Sequence, residues 1–302
     1  MKQFDIVLLT QEKYVFPEEL SEYNKNILIE DALLRAALEE NNLRVIRKSW
    51  DDRNFNWEEA KYIVLRTPWD YFHRFDEFFS WLETTSQVSE FINPLETIKW
   101  NIDKHYILDL ASKNIPIVPT IIIEPGTATT LAQEFEKAGY KEIIIKPAIS
   151  GTARHTYRIT ETSIEIHEKI FRELVLKESM LIQPFLESIL TKGEITLVVL
   201  GGRFSHAVLK KAKQGDFRVQ DDFGGTVHYY DASKTEIELA EQIMQSVSPL
   251  PLYGRVDLVW DENDDLVVSE LELIEPELWM RFKPSSAKVL AEKIYQKYFN
   301  PE

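Results

Sequence analysis

Four ionisable side chains lie close together in the stretch GRVDLVWDENDDLVVSELELIEP near the end of the chain. Arg255 and Asp257 are two residues apart, so they share one face if this segment is a β-strand. The same spacing relates Glu270 and Glu272. A turn with an even number of residues, for instance about four, places Asp257 opposite Glu270 in a hairpin. The stretch therefore predicts an arginine and three carboxylates that converge on one face of a β-hairpin.

The neighbours of these charged residues are apolar. Carboxylates gathered in such surroundings repel and raise one another's pKa unless a cation neutralises them. Oxygen ligands select Mg²⁺, and Mg²⁺ in proteins commonly accompanies phosphate. The hairpin therefore indicates a magnesium site that serves a phosphate-bearing ligand. The apolar neighbours are Val256, Leu258, Val268, Leu271 and Leu273.

The hairpin also has a second interpretation, as a calcium loop. Asp261, Asn263, Asp265 and Glu272 occupy the first, third, fifth and twelfth places of that pattern. The sixth place is Leu266, where a calcium loop needs glycine, and the flanking segments have strand patterns where the motif has helices. A third interpretation, a solvated acidic turn, leaves the carboxylates among apolar neighbours unexplained.

The composition is that of an ordinary globular protein of 302 residues, with a formal net charge of -15 at pH 7. This charge argues against nucleic acid or an anionic membrane as a partner. No cysteine occurs, which excludes disulfides, thiolate nucleophiles and zinc held by cysteine. The first residues lack a signal-peptide pattern, and no apolar run reaches membrane-spanning length, so we expect a cytoplasmic protein.

Two lysines occur at positions that suit a phosphate site. Lys146 ends a strand with three isoleucines and precedes a loop of small residues that includes Ser150 and Gly151. Such a loop can bind phosphate through its amides, although a lysine at an ordinary strand end has the same pattern. Lys104 lies in the first turn of a predicted helix, where a cation opposes the helix dipole; either it has a function or it is solvated. The GxxxxGK[ST] spacing of a P-loop is absent.

Two further segments could contact a nucleotide. Residues 180–186 form an apolar strand interrupted by Pro184, which has no backbone N–H to donate. Backbone groups left free there suit a flat ligand such as adenine, and an edge strand entering a turn is the alternative. A basic island follows in this acidic chain, and both phosphate binding and a solvated hairpin tip are consistent with it. The island consists of Lys210, Lys211, Lys213 and Arg218.

The run RTPWDYFHR follows an apolar strand in the first third of the chain. Ligand pockets lie beyond the carboxyl ends of parallel strands, so the run is a candidate substrate region, although aromatic clusters more often belong to the core. His73 in this run, like His155 and His206 elsewhere, has no second histidine at metal-ligand spacing, so no zinc site is predicted. The substrate candidates are Arg66, Trp69, Asp70 and Tyr71.

The elements that must position these residues follow from hydrophobic periodicity. Strands at 4–10, 43–47 and 62–66, with a helix around 27–38, predict a parallel α/β unit in the first third. A helix from about 101 to 114 comes next. The later predictions are strands at 117–123, 142–146, near Tyr157 and from Met180, a hairpin across 201–202, and helices at 127–138, 164–174, 236–246 and 287–298.

The order of these motifs resembles the ATP-grasp superfamily, and within it the glutathione-synthetase-like and cycloserine-biosynthesis-type ligases. The resemblance covers about residues 95–280 and is carried by NIDKHYILDL, IIIKPAISGTAR, LIQPFL, KGEITLVVLGGR, RVQDDFGG, YGRVDLV and SELELIEP. RTPWDY and NPLETIKWN resemble the N-terminal segment of the cycloserine-type relatives. The resemblance implies an N-terminal parallel α/β (pre-ATP-grasp) domain at 1–95, followed by an α+β ATP-grasp fold of two subdomains. These are a central lid subdomain at 96–183 and a C-terminal subdomain with the metal site at 184–302.

The resemblance also implies roles for individual residues. Lys104 and Lys146 would contact phosphates, Glu194 would hold the ribose, and Arg255 would stabilise the oxyanion together with Lys146 and Arg218. The magnesium ligands would be Asp257, Glu270 and Glu272 for two ions, with Mn²⁺ as an alternative; many members have asparagine in the last place. The remaining ATP contacts would be Ser150, Gly151, Gln183, Pro184, Phe185, Leu186 and Lys211.

The reaction implied is the ATP-dependent joining of a carboxylate to an amine or a similar nucleophile. Phosphoryl transfer would make an acylphosphate, and ADP and phosphate would be released. The partners would be small-molecule acid and amine substrates, without nucleic acid or membrane, and a homo-oligomer is compatible with the sequence. The alternatives are a phosphotransferase on the same fold and a non-enzymatic regulatory module that binds calcium or a nucleotide.

Overall fold

The computed structural model describes residues 2–18, 21–219 and 224–300. Residues 220–223, which belong to the motif RVQDDFGG, lie outside the described residues. The first part of the chain forms a four-stranded parallel sheet in the order β2-β1-β3-β4, which confirms the predicted parallel α/β unit. Its elements are β1 (Phe4–Thr10), α1 (Glu12–Val15), α2 (Glu22–Glu40), β2 (Val45–Ser49), β3 (Ala60–Thr67), α3 (Phe75–Thr85) and β4 (Glu90–Ile92).

The middle of the chain forms a four-stranded antiparallel sheet in the order β5-β8-β6-β7. Two amphipathic helices bury one face against this sheet, with Leu131 and Phe171 fully inside. The elements are α4 (Leu95–Asn101), α5 (Tyr106–Ser112), β5 (Ile121–Ile123), α6 (Leu131–Ala138), β6 (Glu142–Pro147), β7 (Tyr157–Thr160), α7 (Ile164–Val175), β8 (Met180–Pro184) and α8 (Ser188–Thr191).

The helix predicted from 101 to 114 is wrong in its first turn. Helix α4 ends at Asn101, and α5 begins only at Tyr106. Between them, the amide of Lys104 donates to the carbonyl of Ala148 at 3.0 Å instead of to a carbonyl in a helix. The break ties this segment to the loop after β6, which is a long-range contact that periodicity cannot reveal.

The last part of the chain forms a five-stranded antiparallel sheet in the order β11-β10-β9-β12-β13. Helix α9 covers one face, with Ala240 and Ile243 buried against it. The elements are β9 (Glu194–Leu200), β10 (Arg203–Lys211), β11 (Thr226–Tyr230), α9 (Lys234–Gln245), β12 (Tyr253–Trp260), β13 (Leu266–Glu272) and α10 (Ser285–Tyr298).

The first and last sheets share one hydrophobic core. Leu34 of α2, Val198 of β9 and Leu290 of α10 belong to the same cluster of buried side chains. Burial of each such side chain stabilises the fold by about 1.5–3 kcal/mol, so the cluster joins the two sheets firmly. The domain boundaries near 96 and 184 remain a prediction. None of the described helices combines the length and the apolarity that a membrane crossing needs.

Two buried asparagines, Asn93 just after β4 and Asn101 at the end of α4, bind the backbone of the hairpin strands. The Asn93 side chain donates to the carbonyls of Tyr253 and Leu273 at 2.7 and 2.8 Å, and its oxygen accepts from the amide of Leu252. Asn101 donates to the carbonyl of Leu271 at 2.8 Å, and its oxygen accepts from the amide of Leu273. These bonds satisfy backbone groups where the sheet edge is buried, and they hold the hairpin ends in place.

The substitution Asn93→Ala should destabilise the protein, because it leaves several buried backbone groups without a partner. We expect the free energy of unfolding to fall by about 2–4 kcal/mol, measured by urea denaturation. The exposed Asn54 offers a control, since Asn54→Ala should change the stability by less than about 0.5 kcal/mol. Equal stability of the two variants would contradict a structural role for the Asn93 side chain.

Candidate active site

The convergence predicted for the hairpin is confirmed. Asp257 of β12 lies opposite Glu270 of β13, and Arg255 lies opposite Glu272. All four side chains line one cavity of about 290 Å³ between the middle and last sheets. The hairpin thus brings three carboxylates and a guanidinium to the floor of this cavity.

A β-bulge, and not a turn with an even number of residues, produces this register. The turn contains an odd number of residues, 261 to 265. The pairing shifts next to Asp257, where Ser269 is an extra residue on β13. With regular pairing, Ser269 would lie opposite Asp257, and Glu270 would turn to the core face. The bulge therefore keeps Glu270 on the cavity side, and the Ser269 hydroxyl donates to Glu194 at 3.0 Å.

Asp257 is the centre of a buried hydrogen-bond network. Its side chain is almost fully buried, and both carboxylate oxygens accept two bonds. One oxygen accepts from Thr196 Oγ1 at 2.9 Å and from Arg255 Nε at 3.0 Å. The other accepts from Lys210 Nζ and Arg255 Nη2, both at 2.9 Å. Burial would raise the pKa of Asp257, but Arg255 and Lys210 outweigh it and lower the pKa, so the group is ionised.

Lys210 completes this network from β10. It lies opposite Glu194 of β9, is only 4% exposed, and pairs with both Glu194 and Asp257. Burial would lower the pKa of Lys210, but the charges of these two carboxylates outweigh it and raise the pKa. Lys211 points the other way, because successive strand residues alternate between faces, and it is exposed. Lys211 does not line the cavity, so Lys210 replaces it in the candidate site.

The other two hairpin carboxylates differ in how far their charge is compensated. Glu270 forms an ion pair with Lys104 Nζ at 3.1 Å; burial would raise its pKa, but Lys104 and Lys146 outweigh burial and lower it. Glu272 pairs with Arg255. Burial raises the pKa of Glu272 to about 8, with the charge of Arg255 opposing the shift and that of Glu270 adding to it. Glu272 is therefore the hairpin carboxylate whose ionised form is least stabilised by its neighbours.

The cavity carboxylates provide some, but not all, of the ligands that a divalent cation needs. Within residues 2–18, 21–219 and 224–300, no three His, Cys, Asp or Glu side chains form a group that could hold a metal ion as they stand. Glu270 and Glu272 share one face of β13 and offer hard oxygen ligands to the cavity, and a bound cation would favour the ionised form of Glu272. Asp257 uses both oxygens within the protein, so it would join a metal only if Lys210 or Arg255 released one of them.

The loop after β6 closes one side of the cavity. Ser150 and Gly151 line it together with Lys146, and burial lowers the pKa of this lysine. Lys104 Nζ donates to the carbonyl of Ser150 at 2.7 Å, so the two predicted phosphate lysines flank the same loop. Gly151 approaches Phe72 so closely that a Cβ there would lie 2.5 Å from a ring carbon. Only glycine fits at this contact.

The predicted adenine segment lines the same cavity. The Gln183 side chain donates to Thr120 Oγ1 at 2.8 Å, and the amide of Phe185 donates to the carbonyl of Glu142 at 3.0 Å. The Arg158 guanidinium stacks 3.8 Å from the centre of the Phe185 ring. These contacts fix the strand end that faces the cavity. Its four cavity residues are Gln183, Pro184, Phe185 and Leu186.

Arg218 also lines the cavity, on the segment that follows β10. Its Nε and Nη2 donate to the carboxylate of Asp216 at 3.0 and 2.7 Å. The Arg218 guanidinium lowers the pKa of Asp216 to about 2, so the pair is ionised. The cation is therefore oriented by its own loop and lies within the candidate site.

The four predicted substrate residues divide into two groups. Trp69 and Tyr71 line the cavity, but Arg66 and Asp70 do not. Arg66 is 1% exposed and donates to Asp31 at 3.3 Å and to the carbonyl of Pro276 at 3.4 Å. Asp70 accepts from Trp50 Nε1 at 2.8 Å. Substrate contact by Arg66 and Asp70 is thus not supported, because their polar atoms are committed to positioning other segments.

Several residues that line the cavity were not predicted as site residues from the sequence. Lys210 pairs with Glu194 across β9 and β10. Had this pairing been known, the alternation of side chains along β10 would have favoured Lys210 over Lys211 as a cavity residue. Three others follow β13, where no strand or helix period assigns a face to a residue. They are Glu275, Glu277 and Trp279. Another, Tyr23, lies in the first turn of α2.

Comparisons with known proteins agree with this geometry. Residues 6–93 match the family described as D-cycloserine synthetase DcsG, N-terminal domain, and residues 110–253 match the prokaryotic glutathione synthetase, ATP-grasp domain. The chain is 29% identical over 266 residues to the cycloserine biosynthesis protein DcsG of Streptomyces lavendulae, covering 82% of this chain and 87% of that protein.

Solved structures show the same similarity. The crystal structure of D-cycloserine synthetase DcsG matches with a TM-score of 0.84 and 26% identity, over 96% of this chain and 98% of that chain. D-alanyl-alanine synthetase A of Vibrio cholerae shares the fold with a TM-score of 0.68 and 15% identity, over 98% of this chain and 97% of that chain.

Substitution of one of the two adjacent lysines of β10 should impair the protein, and substitution of the other should not. Lys210→Met leaves Glu194 and Asp257 without their shared cation, and loss of one partner of a buried ion pair costs about 3–5 kcal/mol. We expect a lower thermal midpoint and loss of ATP turnover. Lys211→Met removes an exposed cation of the same size and should leave both quantities near those of the unaltered protein. The reverse order of effects would refute the central role of Lys210.

Proposed function

The chain belongs to the ATP-grasp superfamily and is an ATP-dependent carboxylate-amine ligase, and we propose that it works through an acylphosphate and releases ADP and phosphate. One observation carries this proposal. Lys104, Lys146 and Arg255 meet Glu270 and Glu272 on the walls and floor of one cavity. A transferring phosphoryl group needs such cations, and the carboxylates can hold the metal that accompanies it.

We propose that ATP lies along this cavity from the β8 end toward the hairpin. Val118, Ile144, Leu186 and Val259 provide apolar lining near the predicted adenine segment. The proposed adenine contacts are the backbone groups of Gln183, Pro184, Phe185 and Leu186, and Glu194 is the proposed ribose contact. Glu194 already accepts from Lys210 and Ser269, so its orientation is set before a nucleotide binds.

The phosphates would then reach the cationic part of the cavity. Lys104 and Lys146 flank the small loop that contains Ser150 and Gly151, whose amides are further proposed phosphate donors. Arg255 faces the reacting carboxyl group, because its guanidinium lies between Asp257 and Glu272 on the cavity floor. Its charge would stabilise the negative oxygens that develop in both steps.

Glu270 and Glu272 are the proposed magnesium ligands, with Asp257 as a further candidate; two ions are proposed, and Mn²⁺ can substitute. A bound Mg²⁺ would neutralise phosphate oxygens during transfer. Lys146, Arg218 and Arg255 would supply the remaining positive charge from the protein. No nucleophile from the protein is required, in agreement with the absence of cysteine.

The calcium-loop alternative is not favoured by the turn. Asp261 Oδ1 accepts from the amides of Asn263 and Asp265 at 2.8 and 2.9 Å, so this carboxylate stabilises the turn itself. Glu272 lies at the other end of β13, where it pairs with Arg255. The residues that match the calcium pattern are therefore divided between the turn and the opposite end of β13, so they do not surround one ion.

The proposed reaction can be tested by a screen for ADP and phosphate release. The panel pairs amino acids and small dicarboxylates with amines, and it includes single compounds that carry both groups. A ligase should release phosphate and form a C–N bond only when both groups are present. A phosphotransferase would instead give a stable phosphorylated acceptor, detectable by mass spectrometry. Absence of ATP turnover across the whole panel would contradict the proposal.

The substitution Lys146→Met should remove a phosphate contact while it keeps an unbranched side chain of similar length. We expect kcat for ADP release to fall by about 10²- to 10³-fold, as for loss of one preorganised donor. Lys141→Met is the matched control, because Lys141 is exposed just before the same strand. Near-normal turnover by the Lys146 variant would argue against phosphate binding there.

Removal of divalent metal should abolish turnover, and Glu270→Gln should raise the Mg²⁺ concentration needed for half-maximal ADP release by about tenfold or more. The physical reason is the loss of one charged oxygen ligand. Glu262→Gln, in the exposed hairpin turn, makes the same change of charge away from the cavity and should not alter the metal requirement. An unchanged requirement in the Glu270 variant would exclude Glu270 as a ligand.

A further inference from the structure

The cavity has a second acidic group that the proposed ATP and metal site does not use. Glu275 lies three residues beyond Glu272, and its carboxylate is hydrogen-bonded to Tyr71. Several aromatic side chains line the same cavity. Those from the first part of the chain are Tyr23, Trp69, Tyr71 and Phe72, and Trp279 comes from the segment after β13.

Glu275 differs from the other carboxylates of the cavity in its partners. In the part of the chain that the structure describes, no ion pair of Glu275 with a lysine, arginine or histidine occurs. Every other cavity carboxylate is held by a cation: Glu194 and Asp257 by Lys210, Glu270 by Lys104, Glu272 by Arg255, and Glu277 by Arg281. Among the described cavity carboxylates, Glu275 is therefore the one whose carboxylate is not already paired with a cation of the protein and can meet an amine.

The backbone around Glu275 is fixed by three side chains. Tyr253 Oη donates to the carbonyl of Ile274 at 3.0 Å, and Trp69 Nε1 donates to the carbonyl of Glu275 at 3.1 Å. Arg66 donates to the carbonyl of Pro276 at 3.4 Å. Three consecutive carbonyls are thus held from inside the protein. Such support on both sides keeps a catalytic side chain in one orientation.

The surroundings of Glu275 also make it a better base than an exposed glutamate. Burial raises the pKa of its carboxyl to about 7, with the Tyr71 hydrogen bond and the charge of Lys104 opposing the shift and that of Glu270 adding to it. A proton acceptor works best when its pKa is near the working pH. The local chemistry is therefore consistent with proton transfer at neutral pH.

We propose that Glu275 is the general base that takes the proton from the amine nucleophile. The inference rests on the proposed ligase function and assigns one step of it. As the amine nitrogen attacks the acyl carbon of the acylphosphate, the C–N bond forms and the bond from that carbon to the phosphate oxygen breaks. The phosphate leaves with the electron pair, and the proton from nitrogen passes to the Glu275 carboxylate and then to solvent. Tyr71 is a positioning residue that holds this carboxylate.

The test compares two nucleophiles in the variant Glu275→Gln, which keeps the shape of the side chain. An alkylamine is protonated at neutral pH and needs a base, whereas hydroxylamine is already neutral and attacks an acylphosphate without one. Amide and hydroxamate formation are measured with ATP, Mg²⁺ and the acid panel of the screen above. We expect amide formation to fall by about 10²- to 10⁴-fold, while hydroxamate formation stays close to that of the unaltered enzyme.

Two controls keep the result interpretable. Glu262→Gln has the same change of charge in the exposed turn and should leave both products unchanged. Glu275→Asp retains a carboxylate at a shorter reach. It should lose part of the amide rate and none of the hydroxamate rate, and it replaces the glutamine variant if that variant does not fold.

The outcomes separate this inference from the function on which it rests. Normal amide formation by Glu275→Gln would overturn the role of Glu275. Equal loss of both products would also overturn it, because Glu275 would then act in structure or in phosphoryl transfer. If the unaltered enzyme formed neither product with any acid, the proposed function would fail, and this inference would fail with it.

Discussion

The balance of buried charge under the cavity is the constraint on which the rest of the structure depends. Asp257 is 1% exposed, and an isolated charge in that position would cost many kcal/mol. Arg255 and Lys210 compensate it from two different strands, and Lys210 compensates Glu194 as well. Because these partners come from β9, β10 and β12, the network also fixes the order of those strands. On β13, Lys104 and Lys146 compensate Glu270, whereas the raised pKa of Glu272 shows that its ionised form is less well stabilised. A bound cation would favour that ionised form.

The register of the hairpin places these charged side chains on one face, where they line the cavity. The bulge at Ser269 places Glu270 on the same face as Asp257, although the turn contains an odd number of residues. Asn93 and Asn101 then bind the backbone at the far ends of the two strands. The site is thus built on strands whose positions are determined by buried hydrogen bonds. Catalytic geometry of this kind needs little reorganisation when a substrate binds.

The first part of the chain contributes to the cavity in two different ways. Aromatic side chains such as Trp69 and Tyr71 form its wall, and a buried layer behind them holds the segment after β13. Arg66 belongs to that layer, since it bridges Asp31 and the carbonyl of Pro276. Arg66, which was predicted as a substrate contact, therefore positions the segment that lines the cavity and does not line the cavity itself. The first and last sheets share a core, and the proposed substrate end of the cavity has residues of both parts of the chain in its wall.

The sequence alone determined the regular elements and the chemical character of the site. Apolar periodicity was sufficient for the parallel unit, and the two-residue spacings were sufficient to place Arg255 with Asp257, and Glu270 with Glu272, on one face of their own strands, because both follow from the local geometry of a strand. The bulge at Ser269, which brings the two pairs to the same face, was not encoded in these spacings. Only the tertiary structure decided the break before α5, the choice of Lys210 over Lys211, and the presence of Glu275 in the cavity. Each of these depends on contacts between residues far apart in the chain, which local periodicity does not encode.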